Sequence, residues 1–220
     1  MSFMVPLAMF GWVPLVLALF AWLPPRRAVL AGLIGGYLLL PIAAYNLPGF
    51  PDYTKYSATA FAVLLGVALF DGGRLNGFRP RWFDLPVLVW CLVPLPSAIS
   101  AGLGPYAGVS AVVGHVITWG VPYVLGRVYF TDRAALRELA IAVFIGGLIY
   151  APLCLYEVRM SPKLHYQVYG FVQHQWIQTM RFGGWRPMVF MEHGLAVGMW
   201  MAATSVVGLW LWRSKSLKQL

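Results

Sequence analysis

Long runs of apolar residues, separated by short polar segments, are the dominant pattern along this chain. Each long run has about the 17 to 25 residues that an α-helix needs to cross a bilayer, and a shorter run of the same character covers residues 56–70. The long runs cover residues 3–23, 28–47, 85–104, 106–130, 138–156 and 187–212. The pattern predicts an all-α fold, a polytopic transmembrane helical bundle of about seven spans.

One polar segment is much longer than the others and divides the chain. We predict a transmembrane helical region at 1–156, a loop at 157–186, and a last transmembrane helix with a basic tail at 187–220. The sequence is 60% hydrophobic and only 10% charged, whereas soluble domains average about 25% charged residues. The formal net charge of +9 therefore indicates topology and not a nucleic-acid partner, because cytoplasmic loops of membrane proteins collect Lys and Arg.

The basic residues are distributed unequally between the two sides of the predicted bundle. Of the 16 Lys and Arg residues, 11 fall on one side, which the positive-inside rule makes cytoplasmic. The N-terminus and the 157–186 loop are then extracytoplasmic, and the C-terminus is cytoplasmic. The outward set is Lys55, Arg159, Lys163, Arg181 and Arg186. Four of these five lie in the single long loop, which topology alone does not explain.

The stretch MRFGGWRPMVFMEHGLAVGMW, residues 180–200, places charged groups at the mouth of an apolar helix and inside it. A charged group at bilayer depth costs roughly 2.5 to 3.5 kcal/mol, so we expect these side chains to have a use. Pro187 suits the first position of a helix, and the N-terminus of a helix attracts anions. Arg181 and Arg186 add guanidinium groups that bind phosphate oxygens in pairs. We predict a phosphate or pyrophosphate site at the membrane surface.

Two further side chains extend the predicted site into the helix. His193 follows Arg186 by seven residues, two helical turns or about 10 Å along the same face, so one substrate would meet both. Glu192 points about 100° away and would orient a neighbouring polar group or pair with an arginine of another helix. The alternative is that both arginines reach out to lipid phosphates while Glu192 makes a structural ion pair.

The 157–186 loop is rich in aromatic residues and glutamines and contains His165 and His174. Connections longer than about 12 to 15 residues are usually functional or disordered, and the aromatic content argues against disorder. An alternative for residues 165–180 is an interfacial helix. Its bilayer-facing side chains would be Tyr166, Tyr169, Trp176 and Ile177. The chain has no zinc-ligand spacing and no nucleotide-binding loop, so we expect neither a metal nor another cofactor.

Two stretches carry a resemblance to a known family. The run LYEVRMSPKLHYQVYGF, followed by RFGGWRPMVFMEHGLAVGMWMA, resembles the external loop and following helix of the O-antigen ligase and O-antigen polymerase superfamily of bacterial membrane glycosyltransferases. The resemblance implies that Arg181 and Arg186 engage the pyrophosphate of an undecaprenyl-linked saccharide and that His193 is catalytic. His165 and His174 do not match that catalytic position and rank below it, as candidates for substrate binding. Family members have some ten to twelve or more spans, which implies that this chain is an N-terminal portion.

Together these observations predict a glycosyltransferase of the bacterial inner membrane. It would transfer a glycan from a polyprenyl pyrophosphate donor to a hydroxyl of a saccharide or lipid-saccharide acceptor on the outer face. The arginines would stabilise charge on the leaving pyrophosphate, and His193 would deprotonate or orient the acceptor hydroxyl. Two alternatives stay open: a transporter or flippase component for polyprenyl-linked glycans, and a non-catalytic membrane assembly subunit. The sequence does not distinguish polymerase from ligase.

Overall fold

A computed structural model describes residues 2–46, 51–173, 175–181 and 183–215, without the side chains of Trp176 and Ile177. Most of this part is helical. The helices are α1 (Met4–Trp22), α2 (Pro25–Leu39), α3 (Lys55–Leu75), α4 (Leu85–Leu92), α5 (Pro94–Ser100), α6 (Gly104–His115), α7 (Val121–Tyr129), α8 (Arg133–Met160), α9 (Leu164–Tyr169) and α10 (Gly194–Arg213). Two antiparallel ribbons pair β1 (Ala44–Tyr45) with β2 (Tyr53–Thr54) and β3 (Met180–Arg181) with β4 (Gly184–Trp185).

Six helical segments of the described part are long and apolar enough to cross a membrane. They are Met4–Trp22, Lys55–Leu75, Trp82–Ser100, Gly104–Tyr129, Arg133–Met160 and Gly194–Arg213. The prediction of a mostly helical protein with several membrane-spanning helices is confirmed at this level.

Two of the apolar runs form helices of unexpected length. The run at 28–47 forms only the 15-residue α2, which ends before an extended Leu40 (ψ 148°). Leu40 precedes Pro41, and a proline disfavours helical backbone in the residue before it. The short run at 56–70 instead forms the 21-residue α3, whose N-terminus is capped by the Thr54 side chain. The cap places the start of α3 one residue before the apolar run. The added length lies mainly at the other end, in residues 71–75, where the helix is kinked at Asp71 (φ −149°).

Helices α1, α2 and α3 pack closely at glycine positions. A Cβ atom added at Gly36 would lie 2.2 Å from the Thr59 hydroxyl oxygen, and one at Gly66 would lie 2.4 Å from the Phe20 ring. Small residues let helix backbones approach each other in lipid, where packing drives helix association. A larger side chain at either position would therefore separate the helices of this core.

Polar contacts gather at the two ends of the bundle. At one end Arg26 pairs with Asp132 at 3.4 Å, which joins the turn between α1 and α2 to the start of α8. At the other end the Tyr169 hydroxyl donates to the Leu39 carbonyl at 2.7 Å. The connection between α8 and α10, residues 161–193, folds onto this second end.

This connection does not form one interfacial helix. Helix α9 ends at Tyr169 because Gly170 takes a left-handed conformation (φ 77°), a common way for helices to stop. A separate 3₁₀ turn covers Trp176–Thr179. Tyr169 is only 7% exposed and packs in the core. The alternative of a continuous helix over residues 165–180, with Tyr169 facing the bilayer, is therefore wrong.

Candidate functional site

Residues 187–193, which lie between Arg186 and the start of α10, form an irregular turn that we call the elbow. Helix α10 begins at Gly194, with His193 as its N-cap, so the prediction that Pro187 starts this helix is wrong. Val189 has a φ of 51°, a left-handed conformation that is costly for a β-branched side chain. The surrounding structure must therefore hold the elbow in place.

A buried carboxylate holds the first half of the elbow. Glu157, near the end of α8, is 1% exposed. Its Oε2 accepts from the N–H groups of Met188 at 2.8 Å and Val189 at 2.7 Å, and its Oε1 accepts from the N–H of Leu164 at 3.0 Å. Hydrogen bonds to a charged acceptor are about twice as strong as neutral ones. Glu157 thus ties both ends of the connection to α8.

One cationic side chain, Lys55, and one amide side chain, Gln173, hold the second half of the elbow. The Lys55 ammonium donates to the Phe190 carbonyl at 3.0 Å. The Gln173 amide donates to the carbonyls of Val189 at 3.0 Å and Met191 at 3.1 Å. Buried backbone carbonyls need a hydrogen-bond donor. Here the donors are side chains of α3 and of the connection, and not the N–H groups of a following helical turn. These tertiary contacts explain why the helix starts late.

The elbow brings Arg186 back to the N-terminus of α10. A Cβ atom added at Gly194 would lie 2.1 Å from both Cγ and Cδ of Arg186, so the arginine side chain lies directly on this glycine. The predicted geometry, in which Arg186 and His193 stood two turns apart on one helical face, is wrong. The two side chains are neighbours across a turn.

Arg181, Arg186 and His193 line one small pocket, with a volume of about 70 Å³. A pocket of this size suits one small group. Gly194 also lines it, which puts the N-terminal end of α10 at its wall. We call it the arginine pocket.

The β3–β4 ribbon positions the two arginines relative to each other. Arg181 pairs with Gly184 across the ribbon, and the Arg186 N–H donates to the Thr179 carbonyl at 2.8 Å. Both guanidinium side chains are exposed. The ribbon therefore presents two accessible cations beside a helix N-terminus, an arrangement suited to an anion.

His193 has a structural contact of its own. Its Nδ1 accepts a hydrogen bond from the Ala196 N–H at 3.1 Å, so in the neutral ring the proton is on Nε2. In this capped conformation the ring offers a donor and not a free lone pair. To accept a proton through Nδ1, the imidazole must release the cap, which costs about 0.5 to 2 kcal/mol.

Glu192 accepts a hydrogen bond from the Tyr56 hydroxyl at 3.1 Å. Of the two uses that the sequence left open, the structure shows the contact with a polar neighbour. Tyr56 also lines a second cavity, of about 560 Å³, between the start of α3 and the α6–α7 segment. Its other polar and aromatic lining includes Asp52, Ser110, His115, Thr118 and Trp119. We call it the polar cavity, and its size is that of a small-molecule site.

Of the two histidines in the long loop, only His165 lies within the residues that the structure describes. His165 is 1% exposed; its Nδ1–H donates to the Phe171 carbonyl at 2.8 Å, and its Nε2 accepts from the Ile42 N–H at 3.2 Å. Both ring nitrogens thus join pieces of the backbone, which is a packing role and not the substrate contact predicted for it. His174 lies outside the described residues.

Acid should weaken the fold through His165. Burial lowers its pKa below the ordinary 6.5, Lys55 acts in the same direction, and the Phe171 carbonyl opposes them. The unfolded chain then binds the proton first, so stability that is present above about pH 6.5 is lost as the pH falls through the lowered pKa. Thermal unfolding in detergent should show a midpoint that falls on acidification, and less so in His165→Gln. The same pH dependence in both proteins would contradict this.

Several residues that build the site escaped the sequence reasoning. Glu157 had one usable signal in the sequence. The chain has only 7 acidic residues, and this one lies where a predicted helix meets the arginine-containing loop, so it was a candidate for a role in the site. Lys55 was the one outward basic residue placed outside the loop. Tyr150 also holds the elbow, because its hydroxyl oxygen accepts from the Phe190 N–H at 3.0 Å. Neither Gln173 nor Tyr150 had a local signal: the elbow partners of Gln173 are 16 and 18 residues away in the sequence, and that of Tyr150 is 40 residues away.

Comparisons with protein-family models, with curated protein sequences and with solved structures found no significant match to this chain.

Proposed function

We propose that this chain carries the donor site of a membrane glycosyltransferase of the O-antigen ligase and polymerase type. The observation that carries the proposal is the arginine pocket, where Arg181, Arg186 and His193 meet beside the N-terminus of α10. The substrate would be a glycan linked to a polyprenyl pyrophosphate. Its lipid tail suits a protein with several membrane helices, and its pyrophosphate suits paired guanidinium groups.

The arginines would act on the leaving group. In the transfer, an acceptor hydroxyl oxygen bonds to the anomeric carbon of the donor sugar, and the bond from that carbon to the pyrophosphate oxygen breaks. The electron pair leaves with the polyprenyl pyrophosphate, which gains negative charge. Arg181, Arg186 and the dipole of α10 are placed to stabilise this charge. A pocket of about 70 Å³ would take one phosphate group, and the sugar would lie outside it.

His193 would take the proton that the acceptor hydroxyl loses. It exchanges its cap bond with Ala196 for the hydroxyl, a cost of about 0.5 to 2 kcal/mol that is small beside the gain from general-base catalysis, about 10²- to 10⁴-fold in rate. The acceptor, a saccharide or lipid-saccharide, would enter through the polar cavity. Glu192 and Tyr56 connect that cavity to the elbow.

The proposed orientation places the elbow on the outer face of the bacterial inner membrane. It rests on the excess of basic residues at the opposite end, where Arg26 and Arg27 face Glu138 and the positive-inside rule puts the cytoplasm. The reaction would then use lipid-linked glycans already delivered to the outer leaflet. It requires no nucleotide.

Each of the substitutions Arg181→Ala and Arg186→Ala should weaken donor binding. A hydrogen bond to a charged group is worth about 1.5 to 3 kcal/mol, so the Kd for a polyprenyl pyrophosphate donor should rise roughly 10- to 150-fold. Lysine at either position should restore only part of the affinity, because it lacks the planar fork of arginine. Binding of a labelled donor to the purified complete gene product in detergent measures the effect.

Arg159→Ala is the matched control for these variants. Arg159 is an exposed arginine at the same end of the bundle, beyond Glu157 on α8, and it does not line the arginine pocket. It should bind donor like the wild type. Unchanged donor affinity in both pocket variants, at equal protein levels, would reduce Arg181 and Arg186 to lipid-facing surface charges.

A further inference from the structure

A second cationic site lies at the end of the bundle opposite the elbow. Helix α3 begins with Lys55, which bonds the elbow, and ends at Leu75. Just beyond this end, a cavity of about 700 Å³ lies between the α3–α4 connection and the last turn of α7. Arg79, Arg81 and Arg127 line it. The proposed transfer reaction does not use this site.

The three arginines of this cavity are not equivalent. Arg127 is neutralised by Asp84, with Nε and Nη2 donating to its two carboxylate oxygens at 2.9 and 3.3 Å, and it stacks on Phe83 at 4.5 Å. Arg79 and Arg81 are exposed and form no ion pair within the ranges that the structure describes. The cavity therefore keeps two uncompensated positive charges, held in a concave surface.

An apolar groove continues from the cationic cavity along the membrane-spanning helices. It has a volume of about 550 Å³ and shares Phe78, Arg81 and Tyr123 with the cavity. Beyond these residues it is lined mainly by apolar side chains, and it reaches Cys91. Cys91 is six residues beyond Leu85, the first residue of α4, so the groove extends about 9 Å from the helix end toward the bilayer interior.

We infer that the cavity and groove together bind an anionic phospholipid of the adjacent leaflet. The headgroup phosphate lies between Arg79 and Arg81, and one acyl chain lies in the groove. The cavity is level with helix ends, where lipid phosphates are found. Trp82, which lines the adjoining groove, is 86% exposed, as interfacial tryptophans are. A free phosphate would satisfy the arginines and leave the groove open to other apolar chains. Only an amphiphile with an anionic head matches both parts.

Native mass spectrometry of the full chain, purified in a neutral detergent, tests this with defined lipids. Phosphatidylglycerol should be retained about tenfold more than phosphatidylcholine at equal concentration, because the guanidinium groups favour a net anion. An excess of inorganic phosphate should not displace it. The double variant Arg79→Gln, Arg81→Gln should retain phosphatidylglycerol no better than phosphatidylcholine, and each single variant should be intermediate.

Arg133→Gln is the matched control, because Arg133 is an exposed arginine at the same end of the bundle that lines neither cavity nor groove. It should retain phosphatidylglycerol like the wild type. Equal retention of the two lipids by the wild type would overturn the inference, and so would wild-type retention by the single and double variants. Displacement by inorganic phosphate would make this a free-anion site. A lipid-free dimer would show that the groove binds a second copy of the chain.

Discussion

Replacing His193 with alanine should slow the proposed glycan transfer about 10²- to 10⁴-fold, the usual contribution of a positioned acid or base. The substitution also removes the cap of α10, but a lost N-cap costs only about 0.5 to 2 kcal/mol, and it acts on stability first. Donor affinity should change little, because Arg181 and Arg186 stay in place. Single-turnover transfer from purified donor, with donor binding measured in parallel, separates the two effects.

The variant His193→Asn distinguishes catalysis from capping. Asparagine is among the best N-cap residues, so it should keep the contact with the Ala196 N–H while lacking a basic ring nitrogen that can accept a proton. If His193 acts as the base, His193→Asn should transfer nearly as slowly as His193→Ala. Transfer close to the wild-type rate in the asparagine variant would leave His193 with the cap as its whole role.

Replacing Glu157 with alanine should destabilise the protein by roughly 3 kcal/mol or more. The change leaves three N–H groups in the connection and elbow without their acceptor, and each unsatisfied buried donor costs about 1 to 3 kcal/mol. The strained φ of Val189 would also lose its support. Unfolding in detergent should show the loss, and limited proteolysis should open the connection first.

Glu138→Gln serves as the control on the same helix. Glu138 is a partly exposed carboxylate that faces Arg26 at 3.7 Å and Arg27 at 3.9 Å, and exposed ion pairs contribute about 0 to 1 kcal/mol. Its loss should hardly change stability. Equal effects of the two substitutions would show that the buried hydrogen bonds of Glu157 do not hold the elbow.

The elbow also explains how an irregular segment fits beside membrane helices. Non-helical backbone near the bilayer is tolerated where it is buried in protein or lines a cavity. The elbow meets this condition, since Met188, Val189 and Phe190 are all buried and Glu157, Lys55 and Gln173 satisfy much of their backbone. The irregular turn places Arg186 beside His193 in one pocket.

The sequence by itself determined the structural class of the protein and its candidate site residues. Apolar runs predict membrane helices because every backbone group in a span must bond within its own helix, which makes the signal local. Arg181, Arg186 and His193 stood out for the same kind of reason, since charge in an apolar stretch is costly wherever it is found. The residues that end α2 and begin α3, Pro41 and Thr54, are also local features of the sequence.

Only the tertiary structure decided how those residues meet. The hydrophobic pattern favoured a helix from Pro187, but side chains distant in sequence bond the backbone of residues 188–191 and delay the helix to Gly194. The position of Glu157 was informative, but its partners could not be predicted, because a carboxylate at a helix end looks the same in the sequence whether it faces water or three N–H groups. Local energies near 1 kcal/mol per residue set helix preference, and several buried hydrogen bonds acting together exceed them.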